Sequence, residues 1–138
     1  MKMIQSQKGF TLIELMLVVI IIGTLAAMVL PRLAGRSEQA KISAAQADIS
    51  ANIATALKLY ELDNGQYPSS EDGGLNALLT KPGSANKWNG PYLEKKALDP
   101  WGREYQYRNP GTKRPYDYDL FSLGRDGQES QDDVKNWE

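Results

Sequence analysis

An unbroken apolar run near the amino terminus constrains this chain more than any other feature. Residues Phe10 to Leu30 read FTLIELMLVVIIIGTLAAMVL, and the one charged residue among these 21 is Glu14. As a helix the run spans roughly 30 Å, which matches the hydrocarbon core of a bilayer. A buried core helix is the alternative, but one small domain cannot cover a helix that is hydrophobic all round. The run therefore predicts a transmembrane helix.

The rest of the chain is polar, and its composition excludes several kinds of site. The 138 residues suffice for one domain beside the membrane segment, and the mean hydropathy is negative in spite of the apolar run. Without Cys or His, the chain has no disulfide, thiolate nucleophile, Ser–His pair or His-rich zinc site. The net charge of -1 shows no basic bias, which argues against a nucleic-acid partner.

A short polar leader, MKMIQSQKG, precedes the apolar run. In a secretory signal the cleavage site follows the apolar stretch, so the stretch is removed. Here the polar leader precedes the apolar stretch, and we expect that stretch to remain in the mature protein. The heptapeptide Lys8-Gly9-Phe10-Thr11-Leu12-Ile13-Glu14 resembles the type III signal of the type IV pilin and pseudopilin superfamily. The resemblance implies that a prepilin peptidase cleaves between Gly9 and Phe10 on the cytoplasmic side, and that it methylates the new amino group of Phe10.

Glu14 needs a physical explanation, because a carboxylate in hydrocarbon costs about 2.5–3.5 kcal/mol at the middle of a bilayer. It lies in the first turns of the helix, where the helix dipole favours negative charge. In the superfamily this glutamate pairs with the terminal amine of a neighbouring subunit, so the resemblance implies that Glu14 sets axial register during assembly. The alternative is that Glu14 merely reaches the lipid headgroups.

The helix is predicted to continue beyond the membrane. Pro31 follows the apolar run and Gly23 lies within it, which predicts a kink or, as in related filaments, local unwinding. From Ser37 to Leu62 the composition is helical, and apolar residues recur at steps of three and four, which predicts an amphipathic helix. Asp63-Asn64-Gly65 is a helix stop. The apolar stripe expected to pack on a head contains Ile42, Ala45, Ile49, Ile53, Leu57 and Tyr60.

The residues after the helix predict a small antiparallel sheet. Leu75–Leu79 indicates a short helical turn, and residues 81–91 indicate a loop. Arg103–Arg108 and Tyr116–Leu123 predict two antiparallel strands joined by a loop, with a third short strand near Tyr92-Leu93. The predicted fold is α+β, with a long amino-terminal helix, membrane-spanning in its first half, packed on this sheet. The predicted organisation is a leader, a membrane or filament-core helix, its amphipathic continuation and a head, at residues 1–9, 10–30, 31–62 and 63–138.

Four motifs of the head resemble, in the same order, those of the major pseudopilins of type II secretion (general secretion pathway protein G). They are DNGQYP at 63–68, GPYL at 90–93, DPWG at 99–102 and FSLGRDG at 121–127. The resemblance covers nearly the whole chain and implies a type IV pilin-like fold. DPWG is interpreted as structural, with Asp-Pro forming a turn and Trp101 filling the core between sheet and helix. Adhesive type IV pilins commonly close a carboxy-terminal loop with a disulfide, which this chain cannot form.

The last 15 residues, Gly124 to Glu138, are rich in carboxylates. Calcium takes about six to eight oxygen ligands, often carboxylates mixed with backbone carbonyls. The spacing is not that of an EF-hand, and a solvated acidic tail is the alternative. Major pseudopilins bind calcium in this loop, so the resemblance implies a structural Ca²⁺ here. Carried over to this sequence, the implied ligands are the side chains of Asp126, Asp132 and Asp133, with further oxygens from Leu123 and Ser130.

The resemblance implies a structural protein and not an enzyme. It would be a single-pass protein of the bacterial inner membrane with its head in the periplasm, polymerising into a helical pseudopilus that drives export of folded proteins. The implied partners are further copies of the chain, minor pseudopilins, the prepilin peptidase, the inner-membrane secretion platform and, before assembly, membrane lipid. A type IV pilin and a minor pseudopilin are the nearest alternatives. Alternatives from other classes are a membrane-tethered hydrolase that uses Asp132 and Asp133, and a calcium-dependent binding module.

Overall fold

One helix dominates the computed structural model, which describes residues 9–138. The predicted leader falls almost wholly on residues 1–8, which lie outside the described residues. Helix α1 (Leu12–Ala47) is followed by a π-helical turn (Asp48–Asn52) and by helix α2 (Ile53–Asn64). The chain divides into two units between Glu38 and Gln39, so the apolar run belongs to the first unit and the head to the second.

The amino-terminal part of α1 is apolar and exposed. Within the continuous helix Leu12–Asn64, an 18-residue window has a mean hydropathy of 2.7, and none of that window is buried. By length and composition, this is the one helix in the described part of the chain that could cross a membrane. The α-helix continues through Gly23 and Pro31, so no unwinding is found at either residue.

The stripe on the second part of the helix is the core of the head. Gly65 ends α2 as predicted, with a left-handed φ of 83° and its N–H donating to the carbonyl of Glu61 at 2.7 Å. Ile42 was predicted on the stripe but is 37% exposed, because it lies almost one turn before the first residue that the head covers. The buried stripe consists of Ala45, Ile49, Ile53, Ala56, Leu57 and Tyr60.

The π-helical turn was not predicted from the sequence. It contains Asp48, whose carboxylate accepts hydrogen bonds from the Asn52 amide at 2.7 Å and from the Tyr105 hydroxyl at 2.9 Å. Ile49 within the turn and Ile53 just after it are both buried, while Asp48 reaches Tyr105.

The sheet has three short antiparallel strands in the order β1 (Gln106–Arg108), β2 (Asp119–Ser122) and β3 (Val134–Lys135). The predicted pairing of the first two strands is confirmed, with Tyr107 opposite Leu120. All four residues of the central strand β2 are buried. The short helical turn is also confirmed, as a 3₁₀ helix at Gly74–Leu78. The α+β prediction is therefore confirmed.

The prediction of a third strand near Tyr92-Leu93 was wrong. The N–H groups of Tyr92 and Leu93 both donate to the carbonyl of Leu78, at 2.7 and 3.3 Å, which is a loop contact and not a strand ladder. The Tyr92 ring packs edge-on against Tyr60, with centroids 5.6 Å apart. The third strand is Val134–Lys135, which is too short to show an alternating pattern in the sequence.

A buried carboxylate organises the loop between β1 and β2. Asp119 is fully buried on β2 and accepts four hydrogen bonds of 3.0 Å or less, from the backbone N–H groups of residues 112–114 and from the Thr112 hydroxyl. Gly111 allows this close approach, since a Cβ there would lie 2.7 Å from the Asp119 Oδ1. The predicted strand Tyr116–Leu123 therefore begins only at Asp119, because the chain before it wraps around the carboxylate.

Candidate functional site

The residues of the type III signal lie at the start of α1. Gly9 and Phe10 are exposed and precede the helix, and no atom of the described part of the chain lies within 4 Å of the place where a Gly9 side chain would begin. A peptidase could therefore reach the bond between them. Cleavage at this bond and methylation of Phe10 stay predictions.

Glu14 and Thr11 form a capping box at the amino terminus of α1. The Glu14 Oε2 accepts hydrogen bonds from the backbone N–H and the hydroxyl of Thr11, each at 2.9 Å. In return the Glu14 N–H donates to the Thr11 hydroxyl at 3.2 Å. This reciprocal pattern satisfies backbone donors that the first turn of a helix leaves open. Both hydrogen bonds that Glu14 accepts from Thr11 use Oε2, so within residues 9–138 its Oε1 is available for a cation such as an amino terminus.

The carboxy-terminal loop connects β2 to β3 and contains all five predicted calcium ligands. Two glycines shape it, Gly124 with φ 62° and Gly127 with φ 72°, a conformation that other residues rarely adopt. A Cβ on Gly124 would lie 2.9 Å from the backbone carbonyl oxygen of Asp132. The beginning and the end of the loop therefore touch, and only glycine leaves room for that contact.

Ser130 brings two of the predicted ligands together. Its hydroxyl donates to the Asp132 Oδ1 in a short hydrogen bond, and its N–H donates to the Asp133 Oδ2 at 3.1 Å. Asp126 accepts from the Gln128 N–H at 2.9 Å, and the Leu123 carbonyl accepts from the Gly127 N–H at 3.2 Å. Asp132 and Asp133 therefore share Ser130 as a hydrogen-bond donor.

Asp133 is the residue of this loop whose buried carboxylate is not fully compensated by hydrogen-bond donors. Its side chain is buried, and no residue in the range 9–138 forms a hydrogen bond with its Oδ1, which is costly for a carboxylate. Burial raises the pKa of Asp133 above its ordinary value, and the negative charges of Asp132 and Asp126 add to the increase. The Ser130 N–H and the Lys135 ammonium act in the opposite direction. A cation at Oδ1 would relieve this arrangement.

The loop fits a hard cation through its oxygen chemistry. Among residues 9–138, no three Asp or Glu side chains already form a metal-ligand cluster. The carboxylates of Asp126 and Asp132 are exposed, however, and both are close enough to influence the titration of Asp133. An unpaired buried oxygen, two exposed carboxylates and backbone carbonyls are the donors that Ca²⁺ prefers.

The sequence did not reveal what holds the loop to the head. Buried Asp99, from the DPWG motif, accepts the Ser122 hydroxyl at 2.6 Å, and the Ser122 Oγ accepts the Gly124 N–H at 3.1 Å. The Arg103 guanidinium donates to the carbonyl of Gly124 at 2.7 Å. The DPWG motif was correctly interpreted as a turn, but nothing local in the sequence indicated its distant partners. Trp101 is half-buried at the edge of the core.

Comparisons with known proteins agree with this architecture. The family described as "Type II secretion system (T2SS), protein G" matches residues 32–137, and "Prokaryotic N-terminal methylation motif" matches residues 4–30. A "Type II secretion system core protein G" from Pseudomonas aeruginosa is 49% identical over 142 residues, covering 97% of this chain and 97% of the relative. Its counterpart from Vibrio cholerae is 45% identical over 144 residues, covering 99% of this chain and 96% of the relative.

A solved structure shares both the fold and the sequence pattern. The crystal structure of the major pseudopilin from the type 2 secretion system of enterohaemorrhagic Escherichia coli matches with a TM-score of 0.66 and 36% sequence identity. The match covers 78% of this chain and 95% of that chain. The predicted type IV pilin-like fold is thereby confirmed. The chain therefore belongs to the type II secretion system protein G family, the major pseudopilins, and its role is that of a structural pseudopilin.

Proposed function

We propose that the chain is the repeating subunit of a calcium-stabilised pseudopilus that drives export of folded proteins. The observation that carries the proposal is the pairing, in one chain, of an exposed apolar helix that begins with Thr11 and Glu14 and a pseudopilin head. A helix with this much exposed apolar surface needs lipid or other helices around it. It is surrounded by lipid before assembly and by further copies of the chain afterwards.

The subunit lies in the inner membrane as a single-pass protein, with its head in the periplasm. The prepilin peptidase cleaves after Gly9 and methylates Phe10, and the exposure of both residues supports this step. The secretion platform of the inner membrane then adds the mature subunit to a filament whose other components are minor pseudopilins. A repeated head-to-tail contact that does not close on itself produces such a filament.

Polymerisation can be tested with engineered cysteines, because the chain has no native cysteine to cause background crosslinks. Cysteine pairs placed on facing surfaces of neighbouring subunits form a ladder of crosslinked species in cells when the chain polymerises. Monomers and random dimers alone would contradict the proposed filament.

The proposed calcium ion is held by Asp126, Asp132 and Asp133, with backbone or hydroxyl oxygens from Leu123 and Ser130. Bound there, it supplies the positive charge that the buried Asp133 Oδ1 lacks. In a chain without disulfides, this would fasten the carboxy-terminal loop to β2 and β3. An ion that binds only the folded head stabilises it by mass action, by about 2.7 kcal/mol at a hundred times its dissociation constant.

Asp133→Asn is expected to have opposite effects with and without calcium. In a chelator the variant should melt at the same temperature as the wild type or higher, because the amide removes a buried charge. Because the pKa of Asp133 is raised in the folded protein, its ionisation lowers the free energy of unfolding as the pH rises through that pKa. The asparagine does not ionise, so the variant does not lose stability in this way. In saturating calcium the wild type should gain several degrees in melting temperature, whereas the variant should gain little.

Glu138→Gln provides the matched control for that experiment. Glu138 is an exposed carboxylate of the same segment, paired with Lys135 at 3.0 Å, and is not among the proposed ligands. The control should keep the calcium response of the wild type. A full calcium response in Asp133→Asn would contradict the proposed ligand set.

A further inference from the structure

Arg103 fastens the carboxy-terminal loop from outside. Its two terminal nitrogens donate to two successive backbone carbonyls, to that of Gly124 at 2.7 Å and to that of Arg125 at 3.3 Å. A guanidinium is planar and carries several donors in a fixed fork, so one side chain can reach both carbonyls. The ammonium of a lysine cannot reproduce that geometry.

The loop is shaped to accept this guanidinium. A Cβ on Gly127 would lie 2.7–2.8 Å from the Cζ, Nε and Nη2 atoms of Arg103, so the guanidinium lies directly against a residue without a side chain. Gly127 also requires its left-handed φ of 72°. The glycine therefore serves both the turn and the close approach of Arg103.

The Arg103 backbone is fixed by the same network that holds the loop. Its N–H donates to the Asp99 Oδ1 at 2.8 Å, while the Asp99 Oδ2 accepts the Ser122 hydroxyl. The Ser122 Oγ accepts the N–H of Gly124, whose carbonyl accepts from Arg103. The circuit closes on itself, and the arginine is therefore held at its base as well as at its tip.

A second arginine contacts the middle of the loop. Arg108 of β1 pairs with Glu129 through two hydrogen bonds, of 3.0 and 3.5 Å, and its guanidinium lies 5.0 Å from the centroid of the Phe121 ring. This pair is largely exposed and contributes less than the contacts of Arg103. Both arginines together contact the loop on either side of Asp126.

We propose that Arg103 is a positioning residue. Before the ion binds, it holds the carboxy-terminal loop in the conformation that binds the cation. This role rests on the proposed calcium function, and it explains how the loop is ordered before calcium binds. A loop that is already ordered loses less conformational entropy on binding, so its apparent affinity for calcium is higher. The guanidinium adds a positive charge beside the loop, and the hydrogen bonds that it donates there go to the backbone carbonyls of Gly124 and Arg125.

Trypsin cleavage after Arg125 reports directly on this arrangement. Arg125 is exposed, and its carbonyl, the one that trypsin attacks, accepts a hydrogen bond from Arg103. In the full-length chain in detergent with a chelator, Arg103→Met is expected to release the fragment 126–138 about tenfold faster than the wild type. Arg103→Lys should lie between the two, because it keeps the charge but not the fork.

The same assay in a calcium titration separates positioning from simple stabilisation. Calcium should protect both proteins, but Arg103→Met should need about tenfold more of it, since binding must also order the loop. Lys95→Met is the control, because it removes an exposed cation from a different loop and should match the wild type. If Arg103→Met does not fold, Arg103→Lys carries the comparison, with melting curves to verify its fold.

Equal cleavage of the wild type and both variants in the chelator would overturn the proposal, since the loop would then be ordered without Arg103. Tighter calcium binding by Arg103→Met would overturn it as well, because repulsion by the guanidinium would then outweigh ordering. Calcium that protects none of the proteins would overturn the calcium function on which the proposal rests. The cleavage rates in the chelator do not depend on calcium. They therefore distinguish that failure from a failure of Arg103 to hold the loop.

Discussion

Asp119→Ala is expected to lower the free energy of unfolding of the head by roughly 3–5 kcal/mol. The carboxylate is fully buried and accepts from three successive backbone N–H groups and a hydroxyl. Its removal leaves these donors without an acceptor inside the loop at 112–114. Because domains of this size are stable by only about 5–15 kcal/mol, the loss should leave the head partly unfolded at growth temperature.

The pH dependence of stability should change in the same variant. Burial by itself raises the pKa of Asp119, but the hydrogen bonds from Lys113, Thr112 and Arg114 outweigh it, so the pKa lies below its ordinary value. A depressed pKa adds stability above the unfolded value of about 4, and that stability is lost as the pH falls through the folded pKa. The wild type should therefore lose stability below about pH 4 more steeply than Asp119→Ala.

Melting curves of the full-length chain in detergent, recorded by near-ultraviolet circular dichroism at neutral and acid pH, check both statements. Asp117→Asn is the matched control, because Asp117 lies in the same loop but pairs with Arg114 near the surface. It should cost about 1 kcal/mol or less. A similar cost for both variants would show that the loop does not depend on Asp119.

The charge of Glu14 is expected to be essential for assembly, apart from its role as a helix cap. Glu14→Gln keeps a side chain that can complete the capping box with Thr11, but it removes the charge that a neighbouring amino terminus would bind. Thr11→Ala removes the cap and leaves the charge. The first variant should therefore abolish the ladder of crosslinked subunits, whereas the second should only weaken the first helical turn, by about 1 kcal/mol.

Both variants must first be shown to accumulate in the membrane and to lose their leader, so that assembly is the only step compared. Assembly by Glu14→Gln at the wild-type level would reduce the glutamate to a capping residue. Loss of assembly in Thr11→Ala alone would have the same meaning.

The long helix and the site motifs could be predicted because their signals are local. The apolar run, the stripe at steps of three and four, and the helix stop at Gly65 each lie within a few neighbouring residues. The pairing of β1 with β2 followed from two segments rich in tyrosine and apolar residues that are joined by a loop. Motif order along the chain indicated the family, which the comparisons then confirmed.

The rest depends on contacts between residues far apart in the sequence. Arg103 meets a carbonyl 21 residues later, and Tyr105 meets Asp48 across 57 residues, which no local pattern reveals. The π-helical turn holds Asp48, whose partner Tyr105 is distant in the sequence, and the two residues of β3 pair with β2 more than ten residues earlier in the chain. Asp119 has the local sequence of an ordinary strand residue, and only the folded structure brings the N–H groups of residues 112–114 around its carboxylate.

The central claim is that this chain forms a filament whose subunits depend on calcium, and one measurement in cells tests it directly. Cysteine crosslinking and secretion are followed together for the wild type, with and without a chelator, and for Asp126→Ala. Asp126 is exposed and its known contact is local, so its replacement should leave the head folded. Asp126→Ala and chelation are each expected to abolish both the crosslinked ladders and secretion. Normal ladders and normal secretion in Asp126→Ala would contradict it.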